Sequence, residues 1–195
     1  MRPVHPIEAA SYRILRGLVD LSRFGPLGRA VVERVIHASA DLEYAESMAV
    51  HEAALEKGLE ALRRGAPVVT DVGMVVAGIT ARRVHCYVSD ARARKLSDEL
   101  GITRSAAGFR FAAQEVGTGA VWVVGNAPTA LFELLDLPDV EPTLVVGLPV
   151  GFVGAAESKE KLLQSGLHAI ANRGPKGGSA VAAAAFNALI YYEED

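Results

Sequence analysis

The chain has a single cysteine, Cys86. No intrachain disulfide can form, and a zinc site built on cysteines is disfavoured. No second histidine or cysteine stands at metal-ligand spacing from His37, so nothing in the pattern calls for a metal. The sequence also lacks a basic excess. Its formal net charge is −3, whereas a general nucleic-acid binder is usually basic; a local basic pocket stays open. No apolar run reaches the ~20 residues of a membrane span. The opening segment holds Arg2, His5, Glu8, Arg13, Arg16 and Asp20, which leaves no apolar core for a secretory signal. A soluble, cytoplasmic protein with no nucleic acid and no membrane among its partners is the expectation. Gly-x-Ser-x-Gly is absent, as is a Gly-x-Gly-x-x-Gly turn after a strand.

Half of the 195 residues are hydrophobic and 22% are charged, ordinary values for a globular chain. One domain spanning 1–195 is expected, burying roughly 70% of its unfolded surface. The first third reads as helices. Ile7, Ile14, Leu15, Leu18 and Leu21 recur at helical spacing over 7–24, with Ser11 on the same face. Gly25-Pro26 breaks that helix. A second covers 27–39, with Val31, Val32, Val35 and Ile36 as its apolar stripe and Arg34 and His37 together on another face. A third covers 44–64, with Met48, Leu55, Leu59 and Leu62 inward and Gly65 at its end.

The pattern then changes to short apolar runs at 67–71, 83–90, 120–129, 143–151 and 167–174, each followed by a segment able to form a helix. Buried strands alternating with helices predict an α/β fold of three layers, a mostly parallel sheet flanked by helices, with a helical N-terminal region packed on it. Ligands of such sheets bind beyond the carboxyl ends of the strands. The residues expected there are Thr70-Asp71, Ser89-Asp90, Gly125-Asn126, Gly147-Leu148-Pro149 and Asn172-Arg173, each close to the start of a helix whose free N–H groups favour anions.

Individual motifs are less decisive. In "GITRSAAGFR" (101–110), Thr103 reads as an N-cap, followed by Arg104 and Ser105. An arginine in a first turn opposes the helix dipole, which suits either a solvated side chain or a nearby anion. "GNAPTALFELL" (125–135) follows a strand directly, with Pro128 fitting a first helical turn. "GLPVGFVGAAESKEKL" (147–162) has Gly147, Gly151 and Gly154 in one stretch, which permits close backbone approach to a ligand. Its Leu148, Val150, Phe152 and Val153 suit an apolar ligand surface or a partner chain. "RGPKGGSAVAAAAFNAL" (173–189) has the residues of a phosphate loop in the wrong order, with Lys176 ahead of the paired glycines and Ser179 opening a helix. His37 lies off its helix's apolar stripe, one turn from Arg34. By itself such a histidine on a helix is usually structural or solvent-facing.

Taken in order, "RVIHAS", "TDVGMVVAGI", "TRSAAGFR", "VVGNAPTALFELL", "GLPVGFVGAAESKE" and "RGPKGGSAVAAAAFNAL" resemble the precorrin-8X methylmutase family of the cobalamin pathway. The resemblance runs from about Ser11 to Leu189, and "GNAPTAL" with "PVGFVGAAESK" is its most specific part. It implies an isomerase that moves one methyl group between adjacent ring-C carbons of a contracted tetrapyrrole, precorrin-8X or its cobalt form, to give hydrogenobyrinate or cobyrinate. No separate cofactor is consumed. A homodimer is implied, with substrate bound near the subunit interface. The family's proton-donating histidine maps onto His37, and its substrate-contacting serine and arginine onto Ser11 and Arg34. The chain departs from some members at Gly73, where they have an acidic residue, and at Pro175-Lys176.

A flat macrocycle edged with acetates and propionates needs N–H donors and cations at its rim and apolar surface on its face. Charge-assisted bonds to a carboxylate contribute about 1.5–3 kcal/mol each. Arg34, Arg104, Ser105, Asn126, Thr129, Lys176 and Ser179 are the candidate rim contacts, so that "GPKGGS" holds a carboxylate rather than a nucleotide phosphate. A histidine suits protonation of the conjugated ring because its reference pKa, ~6.5, lies near working pH. A non-catalytic tetrapyrrole carrier on the same fold would share the rim contacts without needing His37. A nucleotide-binding α/β module would need a phosphate fingerprint that is missing.

Overall fold

A computed structural model describes residues 5–80 and 82–193. In chain order the elements are α1 (Pro6–Leu18), α2 (Pro26–Ser39), α3 (Tyr44–Ser47), β1 (Met48–Val50), α4 (Glu52–Arg63), β2 (Val68–Thr70), α5 (Gly73–Gly78), α6 (Ala91–Leu100), α7 (Arg104–Val116), β3 (Val121–Val124), α8 (Pro128–Asp136), β4 (Leu144–Gly147), α9 (Ala155–Gln164), β5 (Ala169–Asn172) and α10 (Ser179–Ile190). The strands form one sheet in the order β1-β5-β4-β3-β2. β2 to β5 pair in parallel, and β1 closes the β5 edge antiparallel. The expected α/β class and mostly parallel sheet are therefore present.

Alternation along the strands produces two cores. Val68, Val121, Val123, Leu144, Val146 and Ile170 face the layer of α2, α4, α5 and α10. Val69, Trp122, Val124, Val145 and Ala171 face α7, α8 and α9. Trp122 and Phe109 meet edge to face with centroids 4.8 Å apart, a favoured aromatic geometry. Both sheet faces are covered, which is why the strands read as unbroken apolar runs. Among the described residues no helix is long and apolar enough to cross a membrane.

The helix expected over 7–24 ends at Leu18, ahead of Gly25-Pro26, and three further local expectations change. The helix expected over 44–64 is interrupted, because Met48–Val50 pairs with Asn172–Ile170 and takes up the free edge of β5. Met48 fits a helical stripe as well as a strand, so periodicity could not separate them. The run at 83–90 does not form a strand. His85 alone bonds to β2, through both its N–H and its carbonyl, and Asp90 instead caps α6 by accepting from the Arg92 N–H.

The third change concerns α1. Of its apolar face only Leu15 is buried, while Ile7, Ile14 and Leu18 are 74%, 66% and 61% exposed. The helix is rolled so that its polar side meets α2. Glu8 pairs with Arg34 at 2.5 Å, and Arg16 forks onto the buried Glu33 through two bonds of 2.8 Å. Those ion pairs join the polar side of α1 to α2 in this orientation.

Candidate active site

The parallel strands end at Thr70, Val124, Gly147 and Asn172. Because Met48 starts β1 opposite Asn172, the connection from α2 to β1 lies at this same edge. The C-terminal end of α2 thus comes to the rim of the sheet, and it carries His37.

His37 is half-buried between α1 and α2. Its Nδ1 is 2.9 Å from Ser11 Oγ, and the Tyr12 ring stacks on it at 5.0 Å with an interplanar angle of 21°. The Tyr12 hydroxyl accepts from Arg34 Nη1 at 3.1 Å. Burial pushes the Tyr12 hydroxyl above its ordinary pKa, against the pull of Arg34. The fold therefore brings Ser11, Arg34 and His37 together, where helical spacing had paired only Arg34 with His37 and the family resemblance had added Ser11, and it includes Tyr12, which neither reading named. Its one available signal was adjacency to Ser11. As an imidazolium, His37 donates from both nitrogens: Nδ1 can donate into Ser11 Oγ, which leaves Nε2 as the second donor.

A second group forms around Asp71, just past β2. This buried carboxylate accepts the backbone N–H of Gly125 at 3.1 Å, Asn126 at 2.8 Å and Ala127 at 2.7 Å. Burial pushes its pKa up, and the N–H bonds oppose that shift. Asp71 shapes the turn that presents Asn126 and starts α8. Thr129, in the first turn of α8, shares a 2.7 Å bond with Thr103, the cap of α7. That contact sets Asn126 and Thr129 beside the start of α7, where Arg104 is exposed. Among the described residues the Arg104 side chain has no hydrogen-bond or ion-pair partner. Ser105 is buried in the same turn.

The glycine turn after β5 bridges the two groups. A Cβ on Gly125 would lie 2.9 Å from Ser179 Cα, so the β3 exit packs directly on the first residue of α10. Ser179 Oγ is buried and, among the described residues, has no hydrogen-bond partner. Lys176 is not free: its Nζ pairs with Asp41 at 2.6 Å and Glu43 at 2.8 Å, just beyond the end of α2. These bonds hold its pKa above the ordinary range and that of Asp41 below it. Lys176 thus ties the turn to the segment that follows His37, and a ligand carboxylate must share it with two acidic side chains. Gly177 sits at φ +157°, where a Cβ would collide with the carbonyl oxygens of Leu148 and Pro149. Gly177→Ala should therefore pry the two loops apart, costing about 1–3 kcal/mol as an overpacked contact. Thermal melting reads that loss.

The chain as a whole is similar to known proteins. Residues 6–192 match the model of the precorrin-8X methylmutase family. The chain belongs to that family. Cobalt-precorrin-8 methylmutase of Salmonella typhimurium is 42% identical over 95% of this chain and 94% of its own length. Precorrin-8X methylmutase of Pseudomonas aeruginosa is 39% identical over 100% and 98%. A crystal structure of the precorrin-8X methylmutase from Thermus thermophilus superposes with a TM-score of 0.85 at 33% identity, covering 95% of this chain and 96% of that one. The chain is accordingly an enzyme of the methylmutase class, an isomerase family of corrin biosynthesis. Among the described residues of this methylmutase no cluster of His, Cys, Asp and Glu could hold a metal ion. The exposed Phe152 at the tip of the β4–α9 loop, 99% accessible, offers apolar surface beside the methylmutase's polar turns.

Proposed function

We propose that this chain moves one methyl group between adjacent ring-C carbons of precorrin-8X, or of its cobalt form, to give hydrogenobyrinate or cobyrinate, with His37 as general acid. The methyl's carbon–carbon bond at one ring carbon breaks as the bond to its neighbour forms, so no group leaves the molecule. The observation that carries the assignment of His37 is the Ser11–His37 bond of 2.9 Å under a stacked Tyr12 ring. A histidine held by one nitrogen and supported on one face can hand a proton from the other nitrogen to a flat π-system. Protonation makes the conjugated ring electron-poor and lowers the barrier to methyl migration.

Ser11, Arg34, Arg104, Ser105, Asn126, Thr129, Lys176 and Ser179 are proposed as substrate contacts. Asn126, Thr129 and Arg104 form one open rim, and Ser179 with Lys176 the next. Ser105, being buried, would act through its turn. A cytoplasmic homodimer with the site near its interface is part of the same reading. It is supported by the exposed Ile7, Ile14 and Leu18 on α1, the helix that also carries Ser11.

The direct test mixes purified protein with hydrogenobyrinic acid and follows the visible spectrum. Saturable binding with a shifted spectrum is expected. Failure to bind either that acid or its cobalt form rejects the tetrapyrrole reading. Binding without conversion of substrate would identify a carrier instead.

A further inference from the structure

The reaction described above makes no use of Lys159. This lysine of α9 is 1% exposed, and its Nζ reaches only neutral acceptors, Asn172 Oδ1 at 3.0 Å and the Lys176 carbonyl oxygen at 2.5 Å. Among the described residues no carboxylate pairs with it. The charges packed around it are committed elsewhere: Lys176 to Asp41 and Glu43, and Arg173 to Glu160. On its own helix, Lys161 turns outward to Asp136, and Glu157 is exposed. Burying an ammonium without a counter-ion is costly. Burial accordingly pulls its pKa down to about 8.

The Lys176 carbonyl accepts from Lys159 and also from Asn172 Nδ2 at 3.1 Å. In a trans peptide the N–H points opposite to the C=O. The buried cation therefore holds the carbonyl inward and turns the Gly177 N–H away from itself. Among the described residues nothing accepts that N–H, whereas the next one, of Gly178, bonds to the Leu148 carbonyl at 2.8 Å. The unpartnered Ser179 Oγ follows directly.

We infer that Lys159 is a positioning residue for the substrate: it orients and polarises the Lys176–Gly177 peptide, and a rim carboxylate of the macrocycle docked on this turn supplies the missing counter-charge. The inference rests on the tetrapyrrole reading. Lys159 acts through the turn and does not touch the substrate.

The sign of the pH dependence follows. An anion favours the charged amine, so binding raises the Lys159 pKa, and affinity falls as pH rises past that of the free protein. Spectroscopic titration with hydrogenobyrinic acid should show Kd rising roughly three- to ten-fold between about pH 7 and pH 9.5. Lys159→Met should bind more weakly at the lower pH and lose the dependence. Should that variant fail to fold, ¹³C labelling of the wild-type lysines reads the same event, as a side-chain titration near pH 8 that moves upward at saturation. A flat wild-type profile, a titration unmoved by ligand, or an unchanged profile in Lys159→Met overturns the inference while leaving the tetrapyrrole reading intact. No binding by the wild type at any pH rejects that reading, and this inference with it.

Discussion

His37→Ala should lower turnover by about 10²–10⁴-fold, the usual worth of a positioned general acid, while the fold and ligand binding persist. The ring is half-buried, and its polar contact is one bond to Ser11. Removing it therefore leaves Ser11 Oγ near solvent and one face of Tyr12 uncovered, a stability change of about 1 kcal/mol. The ion pair of Arg34 with Glu8 and the Arg16–Glu33 fork still hold α1 on α2. Three measurements separate chemistry from structure: conversion rate, spectral titration with hydrogenobyrinic acid, and melting temperature. Wild-type turnover in the variant would remove His37 from the mechanism. A lost spectral shift with an unchanged melting temperature would make His37 a binding residue instead.

Asp71→Ala should be the most damaging substitution for stability around the site. Three backbone N–H groups converge on this carboxylate, and alanine leaves them without an acceptor in a largely buried place. Unsatisfied buried donors cost about 1–3 kcal/mol each, less where water can enter. A total near 3 kcal/mol is expected, lowering the melting temperature of a chain this size by roughly 6–12 °C. Because the same groups form the turn that presents Asn126, ligand affinity should fall together with stability. Asp71→Asn keeps the shape but sets an amide N–H₂ against backbone donors, so it should recover only part of the loss. An alanine variant that melts like the wild type would mean that water or a rearranged turn replaces the carboxylate.

How much of this was legible beforehand differs by element. The apolar runs at 67–71, 120–129, 143–151 and 167–174 identified the parallel strands, which end at Thr70, Val124, Gly147 and Asn172, because a strand covered on both faces is apolar along most of its length. The 83–90 run looked the same, yet only His85 joins the sheet. An apolar run records burial and does not say which neighbour the backbone bonds to. Arg34 and His37 were readable as a pair because residues spaced three apart on a helix lie on the same face. Tyr12 was not, because its role depends on how α1 is rolled against α2. Lys176 looked like an open cation, and only the fold shows Asp41 and Glu43 beside it. Asp71 was placed at a strand exit, but nothing local marked it as the acceptor for a loop more than fifty residues away.

The sequence by itself determined the layer architecture, the edge of the sheet where polar turns collect, and the motif set of the methylmutase family, since these depend on local periodicity and on residues in fixed order. Only the tertiary structure decided which charges are spent and which are held in reserve. Glu8 neutralises Arg34, Asp41 and Glu43 take up Lys176, and Lys159 is buried with no counter-ion among the described residues. The reason is physical: a charge is compensated by whatever lies within a few ångströms, and distances between helices distant in sequence are set by packing.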